Sequence, residues 1–178
     1  MIGLADLAQT DATSWELAEA AFTYPASPED QGYNIAADCL RGPGDRLALV
    51  DYGIDAEAPP LRLTTAELSD AASRFAGLLG ERGLGAGDRV AVKLPQSAAM
   101  AIAILGTLRA GAILVTVSDV LGEEAIAHRL SDSGAALLVC AGTGTEAALA
   151  ARTDTALLPA DAQQWLARPL PARPWPAT

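Results

Sequence analysis

The sequence predicts an α/β domain built on a mainly parallel sheet covered by helices. Three observations carry that expectation. Short apolar runs bounded by turn residues recur along the chain, segments with apolar residues at helical spacing separate them, and these helical connections are long enough for crossovers between parallel strands.

Taken in order, residues 1–32 read as a leader, with a short helix over Ser14–Ala20 anchored by Trp15. Tyr33–Leu40 reads as a helix that stops at Gly42-Pro43-Gly44. Leu47–Tyr52 is an apolar run between turn residues, hence a strand, and Leu61-Arg62-Leu63 is a second short one. Thr64-Thr65-Ala66-Glu67 has the spacing of a capping box, and Leu68, Ala71, Ala72, Phe75, Leu78 and Leu79 follow on one helical face. That helix, Ala66–Arg82, ends at Gly83 and Gly85. Asp88–Leu94 is the next strand. Ser97–Arg109 is a helix apolar on most sides, and Ala112–Val117 is a strand. Glu123–Ser133 is a helix with two acids at its positive end, Ala136–Cys140 a strand, Thr145–Arg152 a helix, and Thr155–Leu158 a last short strand. Asp161–Ala167 closes the domain over 33–167 as a short helix carrying Trp165, and the Pro-rich tail 168–178 is expected to be extended. The expected sheet comprises Leu47–Tyr52, Asp88–Leu94, Ala112–Val117 and Ala136–Cys140. Its core is expected to include Leu68, Phe75, Leu79, Val90, Val92, Ile102, Leu105, Leu114, Leu130, Leu138 and Val139.

Composition narrows the functional classes. The chain has 178 residues, enough for one ordinary domain or two very small ones; 51% are hydrophobic and 39 are alanine, so the core is packed with small side chains. A charged fraction of 19% does not suit a disordered polyelectrolyte. A net charge of −10 argues against nucleic acid as a partner, and with Lys93 the sole lysine there is no polybasic segment for anionic lipid. The longest apolar stretch, Ala98–Val117, is broken by Arg109 and divides at Gly111 into a helix and a strand, so no membrane span is expected. Cys39 and Cys140 are too far apart for a metal-ligand spacing and read as two buried thiols of a cytoplasmic protein. Met1–Asp6 lacks the basic region of a signal peptide, and His128 alone cannot build a multi-histidine metal site.

Two segments have the geometry of a ligand site. Gly142-Thr143-Gly144-Thr145 follows a strand and opens a helix, so its amides either form a plain turn with a threonine cap or hold an anion, aided by Arg152. Ser118 and Asp119 leave the C-terminal end of a strand, the edge where open α/β sheets bind ligands; they either cap the next helix or contact a ligand. Gly83-Leu84-Gly85-Ala86-Gly87 lies after a helix and before a strand, the wrong order for a dinucleotide loop. His128 sits mid-helix beside Arg129 and reads as a surface or packing residue rather than a catalytic base.

The order of motifs adds a resemblance. Leu63–Leu68, Gly83–Val92, Leu105–Ala112 and Asp132–Ala135 are similar to the "LTY-x-EL", "G-x-x-x-GD-x-VA", "a-x-x-x-GA" and "DSGA" segments of the AMP-forming acyl-CoA synthetases, members of the adenylate-forming ligase superfamily. Phe22–Pro25, Tyr33–Asp38 and Gly122–Leu130 resemble the acetate to medium-chain branch, and the resemblance covers about residues 15–158. It implies the N-terminal subdomain of an enzyme that uses ATP and Mg2+ to make an acyl-adenylate and then transfers the acyl group to CoA. The Ser/Thr/Gly-rich phosphate loop, the Tyr/Thr-Glu element, the hinge Asp and the catalytic Lys of that family are not found in these 178 residues. No catalytic residue is therefore carried over, and the chain alone is expected to bind no cofactor and to be inactive. Around Thr116–Val120 the family's Pro or Phe-Gly-Gly is absent, so no CoA contact is transferred there. Three readings stay open: a fragment of a ligase, a natural split piece acting through a partner chain, or an independent α/β binding domain. The expected partner is the rest of the ligase or a partner chain, or a second copy in a homodimer.

Overall fold

Residues 34–53 and 57–169 are described by the computed structural model. The leader expected over 1–32, with its helix at 14–20, and the tail beyond Pro169 lie outside the described residues. Among the described residues the elements run α1 (Ile35–Cys39), β1 (Leu47–Asp51), β2 (Leu61–Thr64), α2 (Thr65–Glu81), β3 (Arg89–Lys93), α3 (Ala98–Arg109), β4 (Ile113–Thr116), α4 (Glu123–Ser133), β5 (Leu137–Cys140), α5 (Gly144–Arg152), β6 (Ala156–Pro159) and α6 (Ala162–Ala167).

The helix ends follow local chemistry. Thr64 Oγ1 accepts from the Glu67 amide at 3.3 Å while Glu67 Oε2 accepts from the Thr64 amide at 2.8 Å, the capping box that starts α2. Those bonds from Thr64 hold the Glu67 carboxyl below its ordinary range. Ser97 starts α3 by accepting from the Met100 amide, and Asp161 starts α6 by accepting from the Gln164 amide. Helix α4 ends at Gly134 with φ of 59°, a left-handed cap that suits glycine.

Strand β3 pairs in parallel with β4 on one side and with β5 on the other, and β5 pairs in parallel with β6, giving the order β4-β3-β5-β6. β5 is buried along its whole length and β3 through Val90-Ala91-Val92, because helices cover both faces. Val90, Val92, Leu137, Val139 and Leu158 share one core with Leu68, Phe75 and Leu79 of α2, Ile102 of α3 and Trp165 of α6. Ala91, Leu138 and Cys140 share the other with Ile126 and Leu130 of α4 and Leu149 of α5.

Three expectations are corrected. Cys39, expected to be buried, is exposed at the end of α1, while Cys140 is buried. β1 does not join the parallel sheet; it pairs antiparallel with β2, Val50 opposite Arg62 and Asp51 opposite Leu61. Residues 52–60 are too short a connection for a parallel crossover, so β1 and β2 close on each other. The fourth parallel strand is instead β6. Leu105 and Leu114, expected in the core, are only partly buried, because the outer face of α3 and the outer edge of β4 carry no covering layer among the described residues. The remaining core expectations are met, from Leu68 to Val139.

Two of the segments that carry the family resemblance, Gly83–Val92 and Asp132–Ala135, meet at the N-terminal end of the sheet. Arg89, at the start of β3, donates from Nη1 to Gly87 O (3.1 Å), from Nε to Ser133 O (3.0 Å) and from Nη2 to Gly134 O (2.9 Å). One guanidinium thereby ties the Gly83–Asp88 turn to the carbonyls at the end of α4. In the α2–α3 crossing, a Cβ on Gly106 would stand 2.7 Å from Phe75 Cδ1 and 2.8 Å from Ala72 O. Gly106→Ala therefore forces the helices apart. Overpacking of about 1–3 kcal/mol outweighs the roughly 1 kcal/mol that alanine adds in a helix interior, so chemical denaturation should show a net loss of stability.

Candidate functional site

In a doubly wound sheet the crevice for a ligand lies outside the C-terminal ends of the two strands at which the winding reverses. Here those strands are β3 and β5, and their ends carry Lys93 and Cys140, aligned as partners in the sheet. The crevice is filled by the chain's own side chains. Lys93 Nζ donates to Glu146 Oε1 at 2.9 Å, and Glu146 Oε2 accepts from the amides of Gly142 and Thr143 at 2.8 Å each. The Glu146 side chain is 2% exposed and that of Lys93 17%.

This carboxylate is the acid of a capping box, and the amides it takes up, Gly142 and Thr143, precede the first turn of α5. Burial pushes the Glu146 carboxyl up, but hydrogen bonds from Lys93, the Thr143 amide and the Cys140 thiol outweigh it, leaving the group below the ordinary carboxylate range. Burial raises the Cys140 thiol to about 11, with the carboxylate beside it adding to the shift, so this cysteine is a poor nucleophile.

The residues singled out in the sequence thus separate. Gly142 and Thr143 lie in the turn, but their amides serve Glu146. Gly144 and Thr145 open α5 and are exposed. Arg152 does not aid the turn: nine helical residues place it about 13 Å along α5, where its Nη2 donates to both carboxylate oxygens of Glu124 at 3.1 Å. Ser118 and Asp119 cap nothing, since the N-cap of α4 is Gly122 without a side-chain bond. Both are exposed and line a groove of about 480 Å³ at the ends of β3 and β4, with Leu94, Met100, Leu121 and Arg129. A second groove of about 490 Å³, between the end of β1 and α3, shares Gln96, Met100 and Ile104 with the first. Asp51 anchors its floor, accepting from the Ala98 amide at 2.6 Å. His128 is exposed on α4.

Glu146, Lys93 and Arg129 were not marked in the sequence. The signal for Glu146 was present: in Thr143-Gly144-Thr145-Glu146 it stands where a capping box has its acid. Its pairing with Lys93 spans 53 residues, and no local pattern announces it.

The sequence profile of AMP-binding enzymes matches residues 36–172. This chain belongs to that family. Acetyl-coenzyme A synthetase of Sodalis glossinidius is 38% identical over 123 residues, covering 67% of this chain and 19% of that protein. The Rhodobacter capsulatus acetyl-coenzyme A synthetase is 35% identical over 138 residues, covering 73% and 21%. The chain therefore spans about a fifth of the length of the curated relatives it matches. Among solved structures, the Brucella canis acyl-CoA synthetase superposes with a TM-score of 0.72 at 26% identity, over 98% of this chain and 34% of that one. The Klebsiella oxytoca NpsA N-terminal subdomain, solved with 3-hydroxyanthranilyl-AMSN, shares the fold with a TM-score of 0.58 at 23% identity, over 80% of this chain. The resemblance read from Leu63–Leu68, Gly83–Val92 and Asp132–Ala135 is thus that of a family member.

The buried pair makes the edge sensitive to substitution. Glu146→Ala leaves the Lys93 ammonium facing empty amides and should cost roughly 3–5 kcal/mol, the range for one partner removed from a buried pair, with Lys93→Ala costing less because that side chain is partly exposed. The folded-state pKa of Glu146 is depressed, so its contribution is present above the unfolded carboxyl pKa and lost as pH falls through the folded one. Thermal unfolding from pH 7 to 3 should show a smaller acid loss for Glu146→Gln than for the parent chain.

Proposed function

We propose that residues 34–169 form the N-terminal, non-catalytic part of an ATP-dependent, AMP-forming carboxylic acid–CoA ligase. That ligase makes an acyl-adenylate and then an acyl-CoA thioester in the cytoplasm. The observation that carries this reading is the match over 36–172 to AMP-binding enzymes, on a sheet where Arg89 ties two of the motif segments, Gly83–Val92 and Asp132–Ala135, together. Acetyl-coenzyme A synthetases among the relatives support a short-chain acid as substrate.

The chemistry asks for more than this chain's described residues offer. Adenylation needs the triphosphate clamped by preorganised amide and ammonium donors while a carboxylate attacks the α-phosphorus. The sole lysine is committed to Glu146, and the Gly142–Thr143 amides are committed to the same carboxylate. Among the described residues no group of three His, Cys, Asp or Glu side chains is placed to hold a metal ion, so no step is assigned to Mg2+ here. No described helix is long and apolar enough to cross a membrane. In this reading the chain supplies a scaffold edge, with Ser118, Asp119 and Arg129 on the groove beside it, and the remaining ligase segments or a partner chain supply the phosphate clamp.

The test is pyrophosphate exchange and thioester formation with acetate, medium-chain and aromatic acids. The 178-residue chain alone should show no turnover above background. Supplying the remaining ligase segments should restore it. Turnover by the chain alone overturns the reading and makes Ser118–Gly122 or Gly142–Thr145 the place to look for its chemistry.

A further inference from the structure

Helix α6 is short, and its hold on α2 has two parts. Within the helix, Trp165 is fully buried and meets Phe75 of α2 edge to face. Past the last turn, Arg168 is held twice. Its carbonyl accepts from Arg74 Nε at 2.6 Å, and its Nη2 donates to Glu81 Oε2 at 2.5 Å. Arg74 and Glu81 both belong to α2, seven residues and therefore two turns apart, roughly 10 Å along one face of the helix. Arg168 itself is extended, with φ of −65° and ψ of 149°, and Pro169 follows it. Proline has no N–H with which to close the helix end on its own carbonyls, and Arg74 satisfies the Arg168 carbonyl instead.

These contacts exceed what docking α6 requires. The buried tryptophan already fixes the helix to α2, and an ion pair to a carboxylate that is 63% exposed adds little stability. What they fix is a direction. A residue tied through both its carbonyl and its side chain cannot turn about either tie, so the backbone leaves Arg168 on one course. We propose that Arg74, Glu81 and Arg168 are positioning residues for the ligase reaction, which aim the chain leaving this domain toward the segments that clamp the triphosphate. The inference rests on the ligase reading above, in which those segments follow this N-terminal part. Misplacing reacting groups by about 1 Å costs up to roughly 100-fold in rate, so a loosened exit lowers turnover although none of the three residues touches a substrate.

The experiment uses the 178-residue chain and the same chain joined, in place of the matched 138 residues, to the rest of the Rhodobacter capsulatus acetyl-coenzyme A synthetase. Pyrophosphate exchange with acetate is measured on the joined protein, and melting on the chain alone. Arg74→Ala, Glu81→Arg and Arg168→Glu should each lower kcat at least about tenfold, with KM for ATP and acetate held within about twofold. The double reversal Glu81→Arg with Arg168→Glu restores opposite charges and should recover most of the lost kcat. Each variant should shift melting of the chain alone by less than about 3 °C, the scale of a surface pair. Variants that keep the parent's kcat, or lose activity only in proportion to folded protein, overturn the positioning role and leave the ligase reading standing. A double reversal that recovers nothing also overturns it. A joined parent without pyrophosphate exchange overturns the ligase reading, and this inference with it.

Discussion

The pairing of β3 with β4 on one side and β5 on the other leaves every backbone group of Val90-Ala91-Val92 without access to water, and the rest of the domain is arranged around that fact. A strand buried on both faces must be apolar on both, which Val90, Ala91 and Val92 satisfy. It must also be covered on both, which sends α2, α3 and α6 to one face and α4 and α5 to the other. Small residues make the covering close. Gly106 lets α3 lie against Phe75 and Ala72 of α2, and Phe75 in turn meets Trp165 of α6 edge to face with centroids 4.8 Å apart.

Where β3 stops, burial becomes an electrostatic problem. Lys93 is the first polar side chain after the apolar run, at the point where strands separate beside the Gly142–Thr143 turn that leads into α5. An ammonium there needs an anion, and so do the amides of Gly142 and Thr143. Glu146 serves both with its two oxygens. Desolvation opposes such a pair, and the number of donors on one carboxylate is what offsets it. The consequence for function is direct: the crevice that the winding of the sheet creates is closed by the chain itself, and open space shifts toward the groove at Ser118, Asp119 and Arg129.

Family membership accounts for the other end of the sheet. Arg89 joins the turn at Gly83–Asp88 to the segment Asp132–Ala135 through three backbone carbonyls. The chain spans about a fifth of relatives such as the Sodalis glossinidius acetyl-coenzyme A synthetase.

The sequence by itself determined the elements. Apolar spacing marked α2 from Leu68 to Leu79, Thr64 and Glu67 marked its start, Gly83 and Gly85 its end, and the runs at Val90 and Leu137 the central strands, because caps and periodicity act over a few residues and are written locally. Tertiary structure alone decided which strands pair and which polar groups meet. β1 read as well for a parallel strand as β6 did, and only the short connection to β2 and the competition for edges separated them. Gly142–Thr145 read as well for a bound anion as for a plain turn, until the packing of α5 against α4 and β6 brought Lys93 and Glu146 together across 53 residues of chain. Pairings at that distance depend on how layers close over a core, and no window of sequence contains that information.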